Sequence, residues 1–435
     1  MVASSVNMRF DKGIAVVRKG LRRILTFQGR HAQCLVSFRD PDGVNDILVV
    51  TENSSSFLLN PLRPVLVHSA QVGENVTALQ IFNNVLLFDK NVRPQKSTGA
   101  ANFVDLSTTP SINDGSFKVC PNSPFGFYMS NRVITPNFAD SSTTIIVSDI
   151  FDENLYGATS EFYLNRGTQD ETIAISPYAE NQIIVFNSNS IHIVNNIHSL
   201  DSATFEITRQ YGICGHKAHC QSGQYTYFMT GEGEVQLLVP SSDPAKGMGI
   251  SISKATLDVE PLTKAISPLL TDLDMDHLEN VILHYHKNRV YIAVPFLGGA
   301  RDGGNDDLFG STKYPNAILI YNSLNSKFES IDILPVAIRD IATLDGKIYM
   351  TSSDSVFEYE SSITDDGNPI TGEIITRDYI FGSRGIKKFV RGTLGYGGER
   401  NSQSEISVNT KSPESVILSK STTEDDDTFN RLTRF

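Results

Sequence analysis

The sequence predicts an all-β protein, a β-propeller built from repeated hairpins with a β-rich C-terminal extension. Three observations support this fold class. Short runs of β-branched and aromatic residues alternate with turns rich in Asn, Gly, Asp and Ser. Pairs of such runs recur about every 40 to 60 residues, which is the range of propeller blades. Helical spacing of apolar residues is confined to 267–283, where we expect a short connector helix.

Seven pairs of runs are predicted to form hairpins between residues 46 and 360. Each pair has two strands of four to six residues, the ordinary strand length, joined by a turn or a loop. A pair of β-sandwiches would also have short strands and frequent turns, and is the alternative architecture. The first runs of the seven hairpins begin at Ile47, Ala78, Asn131, Gln182, Tyr225, Arg289 and Lys347.

The pattern divides the chain into three parts. We predict an N-terminal segment over 1–45, the β-propeller over 46–360, and a C-terminal β extension or closing strands over 361–435. Beyond residue 361 Ser, Thr, Asp and Gly dominate, although 373–380 and 404–409 still alternate as strands do.

Composition limits the classes of function. The 435 residues include 37 basic and 49 acidic side chains, a net charge of −12, with 40% apolar and 20% charged residues. Such a chain folds, and its acidity argues against gripping nucleic acid through phosphates, which requires a basic surface. Four cysteines are too few for a disulfide scaffold. No apolar run of membrane-spanning length and no secretion signal is apparent, so we expect a soluble protein.

One short cluster of metal-ligand types stands out. Cys214, His216, His219 and Cys220 lie within seven residues. Zinc sites ordinarily use two separated ligand pairs, and no second pair is evident. We therefore favour a turn between blades with buried cysteines over a structural zinc site.

Two further patterns have ordinary explanations. His284 and His286 would share one face of a strand, but no third ligand is near in sequence. The acidic residues of 272–276 start like a calcium loop, yet the glycine and glutamate required at positions 6 and 12 are absent. Carboxylates at a helix N-terminus explain them equally well.

The sequence gives no sign of an enzyme, a cofactor or a metal. The glycine-rich loop 298–307 lacks the Lys-Ser/Thr end of a P-loop, and neither a GxSxG nor an HExxH motif is present. A propeller glycosidase or lyase would need convergent carboxylates, for which Asp149, Asp274 and Glu279 are candidates.

Two long polar stretches, 298–313 and 420–435, are predicted to contact other subunits or partners, because such contacts are usually built on loops of a rigid scaffold. A flexible surface loop and a frayed terminus are the alternative interpretation. The interface candidates are Gly298, Gly299, Asp302, Gly303, Asp306, Asp307, Glu424, Asp425, Asp426 and Asp427.

Six phrases follow one another along the chain, at 76–94, 131–149, 170–192, 211–233, 289–295 and 318–328. Their order resembles that of the tail nozzle (tail tube or hub) proteins of short-tailed bacteriophages. The similarity covers about 70% of the chain, roughly 46–360. A tryptophan usual in the last phrase is replaced here by Phe328.

This resemblance implies a structural virion protein of the short tail, assembled in the host cytoplasm. It would form a homo-hexameric ring below the portal and adaptor, extend the DNA channel, gate genome ejection and dock fibres or spikes. Six copies would carry about −72 charges, so DNA would pass the lumen without specific binding. A monomeric propeller serving as a protein-interaction platform is the alternative.

Overall fold

The computed structural model falls into two compact units, 1–376 and 377–435. The residues that it describes are 2–11, 14–27, 31–39, 45–51, 54–57, 65–66, 76–98, 102–112, 115, 117–138, 143–157, 160–165, 168–179, 181–197, 202–240, 257–297, 313–376, 393–396, 403–408, 416–421 and 431–434.

The first unit is a β-propeller preceded by four N-terminal strands. These strands are β1 (Val2–Val6), β2 (Met8–Asp11), β3 (Ile14–Val17) and β4 (Gly20–Thr26).

The first three blades follow in chain order. Blade 1 contains β5 (Ala32–Arg39), β6 (Asn45–Thr51), β7 (Ser54–Phe57) and β8 (Val65–Leu66). Blade 2 contains β9 (Thr77–Ile81), β10 (Asn84–Asp89), β11 (Val92–Ser97) and β12 (Val104–Asp105). Blade 3 and its accessory pair contain β13 (Phe117–Lys118), β14 (Phe127–Met129), β15 (Arg132–Pro136), β16 (Thr144–Val147), β17 (Tyr156–Gly157) and β18 (Glu161–Tyr163); of these, β13 and β17 form the accessory pair.

The remaining blades continue the pattern. Blade 4 contains β19 (Thr172–Ala179), β20 (Gln182–Asn187), β21 (Ile191–Asn195) and β22 (Ala203–Thr208). Blade 5 contains β23 (His219–Ser222), β24 (Tyr225–Met229), β25 (Val235–Pro240) and β26 (Leu257–Pro261). Blade 6 contains β27 (Ile282–His286), β28 (Arg289–Val294), β29 (Ala317–Asn322) and β30 (Lys327–Ile333). Blade 7 combines β31 (Asp340–Leu344), β32 (Lys347–Thr351) and β33 (Ser355–Ser362) with β4.

In the described residues the seven blades close into a ring. The first strand of each blade contacts the first strands of the blades on both sides, and β31 contacts β5 to complete the circle. Apolar clusters fill every interface between neighbouring blades, including Leu48 with Val85 and Val356 with Ile47. The core therefore lies between the sheets, where both faces of each blade are buried, and the propeller prediction is confirmed.

Each of the seven predicted hairpins is present, one in every blade. Six of them join the second and third strands of their blade, and the hairpin beginning at Ala78 joins the first and second. Their apolar runs are continuous because these central strands are covered on both faces.

The N-terminal strands close the ring. β4 pairs antiparallel with β33, with Leu25 opposite Val356, and so supplies the outer strand of blade 7. β1 pairs in parallel with β30 and antiparallel with β36 (Glu373–Thr376), which widens the sheet of blade 6 to six strands. A two-stranded sheet of β34 (Thr364–Asp365) and β35 (Asn368–Pro369) precedes β36. Residues of the predicted segment 1–45 thus contribute strands to the propeller, as do residues beyond 361.

Helix is confined to a connector before blade 6 in the described residues. It consists of a 3₁₀ turn (Thr263–Ile266), helix α1 (Ser267–Leu270) and a second 3₁₀ turn (Met275–Asn280). The predicted helical spacing over 267–283 holds for one turn of α-helix only. Asp274 caps the second 3₁₀ turn by accepting from the backbone N–H of Asp276, and Val281 is already extended.

The second unit contains two strand pairs. β37 (Thr393–Tyr396) pairs with β40 (Arg431–Arg434), and β38 (Gln403–Val408) pairs with β39 (Val416–Ser421), both antiparallel. The predicted C-terminal β character is therefore present in this unit.

Candidate functional site

The predicted interface candidates lie outside the described residues. This applies to all ten, in 298–312 and in 422–430, so their role stays a prediction. The residues concerned are Gly298, Gly299, Asp302, Gly303, Asp306, Asp307, Glu424, Asp425, Asp426 and Asp427.

The Cys/His cluster instead draws attention to the segment before β23, which lies at the centre of the ring. We call residues 211–218 the axial segment. Its backbone is fixed by bonds from the N–H of Ile213 to the carbonyl of Asn187 (3.1 Å) and from the N–H of Cys214 to the carbonyl of Met229 (3.0 Å). A Cβ at Gly215 would lie 2.2 Å from the carbonyl oxygen of Glu279, so only glycine fits there. The segment is tightly held.

Lys217 reaches beyond the neighbouring blade. Its Nζ lies 2.9 Å from Oδ2 of Asp340, the first residue of the inner strand of blade 7, while its carbonyl accepts from the N–H of Leu283 on blade 6 (2.9 Å). Oδ2 of Asp340 also accepts from the N–H of Leu35 on blade 1 (2.9 Å). One lysine thus links blades 5, 6, 7 and 1 at the axis.

His216 reaches in the other direction. Its ring stacks on Phe125, just before the inner strand of blade 3, with centroids 6.2 Å apart and planes 7° apart. Burial lowers the pKa of His216 to about 3 and that of His219 to about 4, so both imidazoles are neutral at physiological pH. Burial likewise raises the pKa values of Cys214 and Cys220, which leaves them as thiols.

These contacts define what the cluster does. His216 and Lys217 together extend from blade 3 to blade 7 across the mouth at which the inner strands begin. In the described residues no group of three or more His, Cys, Asp or Glu side chains is arranged to hold a metal ion. The axis of the ring is therefore crossed by side chains at this mouth.

The other candidate residues have local partners. His284 lies on the inner strand of blade 6, where its Nε2 is 2.5 Å from Oγ1 of Thr343 and burial lowers its pKa to about 4. Asp149 bonds to Arg132 and to the N–H of Ile150. Asp274 is the 3₁₀ cap, and Glu279 lies 3.6 Å from His277. Each carboxylate proposed for glycoside cleavage is accounted for by a neighbour of its own.

A second polar cluster holds blade 4 together. Asp170, before the inner strand, accepts hydrogen bonds from the Ser188 hydroxyl (3.0 Å), the N–H of Asn189 (2.7 Å) and the Ser190 hydroxyl. Ser190 in turn lies 2.9 Å from Nε2 of His192. Although burial alone would raise the pKa of Asp170, these bonds lower it below its usual value. In a Ser-His-Asp catalytic triad the histidine lies between the serine and the carboxylate. Here the serine bonds directly to the carboxylate, so the cluster is not a triad. It stabilises the turn between β20 and β21, and we call it the clasp.

Two buried arginines fasten the N-terminal strands, a feature that sequence reasoning missed. Arg9 forms a bidentate pair with Asp332 (2.9 and 2.5 Å) and also bonds to Glu360 (2.7 Å). Arg18 forms a bidentate pair with Asp365 (2.9 and 2.6 Å). Burial alone would lower the pKa of Arg9, but Asp332 raises it well above the usual value, so the Arg9 guanidinium stays protonated.

Two exposed apolar patches lie on the surface of the propeller. We call Ile14, Val16, Val17, Ile374 and Ile375 the hairpin patch, which belongs to blades 6 and 7. Val104, Ile112, Ile150 and Phe151 form the phenylalanine patch, which belongs to blades 2 and 3. All nine side chains are between 36% and 64% exposed.

These features define a closed seven-bladed β-propeller with a blocked axis and polar contacts that are structural. Residues 126–289 match the family described as Bacteriophage P22 Gp10, beta-propeller. The match supports a bacteriophage structural protein related to phage tails. It does not extend to the specific role of a tail nozzle, which stays a prediction.

Comparison with solved structures returns propellers. The virginiamycin B lyase from Staphylococcus aureus is 13% identical with a TM-score of 0.47, and 78% of this chain and 98% of that chain are covered. YCF48 from Cyanidioschyzon merolae is 10% identical with a TM-score of 0.44, over 78% and 98% of the two chains. BamB from Moraxella catarrhalis is 10% identical with a TM-score of 0.41, over 78% and 96%. None of the curated proteins matches the chain.

No helix among the described residues has both the length and the apolar character needed to cross a bilayer.

Proposed function

We propose that this chain is a structural subunit of the virion, in the nozzle ring of a short phage tail. The match of 126–289 to the phage Gp10 propeller family is the observation that supports this role. In the proposed ring, six copies extend the channel of the portal and adaptor, gate genome ejection and dock fibres or spikes. Assembly takes place in the host cytoplasm before incorporation into the virion.

The blocked axis constrains the route of DNA in this proposal. Because His216 and Lys217 cross the axis of each propeller, DNA passes through a lumen between subunits and not through the subunits themselves. The net charge of −12 per copy makes that lumen non-adhesive toward a polyanion, since like charges repel.

We further propose that the protein has no catalytic activity, cofactor or bound metal. The support is local: Asp149 and Asp274 bond to their own neighbours, and Glu279 accepts a hydrogen bond from the side-chain amide of Asn280 (3.1 Å). The scaffold therefore acts through its surfaces.

Solution mass and imaging test the role. Light scattering on a sizing column and negative-stain images of the full chain, alone and mixed with the cognate portal and adaptor, should give a ring of six that joins the adaptor. A chain that stays monomeric in both settings would contradict the nozzle role and favour the monomeric interaction platform.

A further inference from the structure

The hairpin patch is an unusual surface for a soluble propeller. Ile14, Val16 and Val17 are 64%, 50% and 47% exposed on the β2–β3 hairpin, and Ile375 is 48% exposed on β36. These segments pack together, since a Cβ at Gly372 would lie 2.8 Å from Cγ2 of Val17. In the described residues β36 pairs only with β1, so its outer edge offers unpaired backbone groups. Apolar side chains and a free edge are the features of a docking surface.

The phenylalanine patch has a different character. Phe151 is 64% exposed and has a φ of +60°, a left-handed conformation that is costly for a bulky side chain. Its ring lies 4.9 Å from that of Phe82, which fixes its direction. Val104 lines a shallow pocket beside it together with Glu153 and Ser111. A held, exposed aromatic ring beside a pocket is typical of an interface anchor.

The charges around the two patches are complementary. Beside the hairpin patch, Arg22 is 56% exposed while its partner Glu358 is 7% exposed, and Arg23 is 40% exposed against 28% for Asp366. Lys19 is also exposed there, as is the acidic Glu373.

The balance is reversed beside the phenylalanine patch. Asp149 is 52% exposed against 14% for Arg132, and Asp105 is exposed. Two cations also lie on this side: Lys96, 32% exposed against 12% for Glu153, and Lys118 on β13, 50% exposed against 8% for Glu161. Cations are therefore the more exposed members of the ion pairs at the first rim, whereas the exposed carboxylates of Asp149 and Asp105 lie next to the apolar residues of the second, so these parts of the two surfaces attract each other.

The positions of the patches exclude contact within one propeller. Blade 1 separates them on one side of the ring, and blades 4 and 5 separate them on the other. Two different surfaces on one molecule that complement each other produce head-to-tail contacts, which give a ring where the rotation between copies closes and an open filament where it does not.

We propose that the hairpin patch of one copy docks on the phenylalanine patch of a second copy of this chain. This deepens the proposed function, on which it rests, by naming the surfaces that join neighbouring subunits. Phe151 is the central anchor, and the hairpin β2–β3 with the edge of β36 forms the opposing surface.

Cross-linking between variants that each carry one added cysteine tests the pairing. Phe151→Cys copies are mixed with tagged Ile375→Cys copies and treated with a short bismaleimide. The natural chain, whose four cysteines are buried or half-buried, is treated in the same way and gives the background of cross-linked product. We expect 151–375 cross-links to exceed 151–151 and 375–375 cross-links at least about tenfold. Tyr225→Cys, 40% exposed on blade 5, is the matched control and should not cross-link to position 375. Dominant 151–151 and 375–375 products, or no product above the natural chain, would overturn the proposal.

Removal of the anchor gives a second test. Asn tolerates a left-handed backbone, so Phe151→Asn should fold with an unchanged melting temperature. It should weaken self-association at least about tenfold by light scattering, whereas Tyr225→Asn should not. Equal association of Phe151→Asn and the natural chain would refute the contact.

The two proposals fail separately. Rings with 151–375 cross-links that do not join the portal and adaptor would refute the nozzle role and leave the contact intact. Assembly onto the adaptor without those cross-links would refute the contact alone.

Discussion

At the scale of single residues, buried polar groups in this propeller fix turns and not reactions. Asp170 gathers three donors from the turn between β20 and β21, and its exposure is 8%. Its removal would leave buried donors without an acceptor, each costing about 1–3 kcal/mol. The clasp therefore contributes to stability well beyond an average surface carboxylate.

We expect Asp170→Asn to lower the free energy of unfolding by about 2–4 kcal/mol. The side-chain NH2 group of asparagine is a donor, and it would face donors that Asp170 now accepts from. Urea denaturation of the full chain measures it. Asp149→Asn, on a half-exposed side chain, serves as the control and should cost about 0.5 kcal/mol or less. If the two substitutions lowered the free energy of unfolding equally, Asp170 would contribute no more to stability than a surface carboxylate.

Stability should also depend on pH through three half-buried histidines. The folded pKa of His216 is about 3 and those of His219 and His284 about 4, all below the unfolded value. The unfolded chain then binds more protons below about pH 6.5, so stability falls as the pH drops from about 6.5 toward 4. The stabilising contribution of Asp170, whose pKa is lowered, is lost only below about pH 3.9, outside this window.

Urea midpoints measured at about pH 7 and about pH 5 should therefore differ less in His216→Gln than in the natural chain. A pH dependence that is identical in the two proteins would contradict burial of His216 as its cause.

At the scale of elements, the ring is closed by strands from the N-terminal part of the chain. β4 completes blade 7 and β1 extends blade 6, so these elements join residues more than 300 positions apart. Apolar packing alone does not orient them, because all four residues of β3 are exposed. Arg9 and Arg18 supply the directional contacts, and Asp332, fully buried, depends on them.

Arg9→Met should therefore destabilise the propeller by about 3–5 kcal/mol, since it leaves a buried carboxylate without its bidentate partner. Limited proteolysis should cut the N-terminal strands faster in this variant. The matched control Arg23→Met removes an exposed pair and should cost about 0–1 kcal/mol. Equal proteolysis and stability in the two variants would show that the buried pair does not fasten the closure.

At the scale of the whole molecule, the charge and the blocked axis act together. The chain carries −12, and the ion pair of Lys217 with Asp340 crosses the axis. A subunit of this kind can line a DNA channel but has no channel for DNA along its own axis.

Fluorescence anisotropy with a labelled DNA duplex at low salt should accordingly show no binding at protein concentrations up to about 10 μM, where non-specific binders already associate. A variant with Glu→Lys changes at Glu171, Glu206 and Glu279, whose side chains are 38%, 34% and 54% exposed, provides the comparison and should bind more. Tight, salt-sensitive binding by the natural chain would contradict passive passage.

The sequence by itself determined the hairpins and the all-β fold. The continuous apolar runs beginning at Ile47, Gln182 and Arg289 are those of strands buried on both faces, and local turn chemistry fixes their pairing. Resemblance added the phage context, which the family match supports at the level of a structural protein.

Only the tertiary structure decided the closure, the blocked axis and the two exposed patches. Alternation in 20–26 is a local signal for a strand, but its partner β33 lies over 300 residues away, and no local pattern encodes that distance. The Cys/His cluster looks like a ligand set in sequence because spacing does not reveal direction; in space His216 and Lys217 point to opposite sides of the ring. Exposure of Phe151 likewise depends on which neighbours the ring places beside it, and ring closure is a property of all seven blades together.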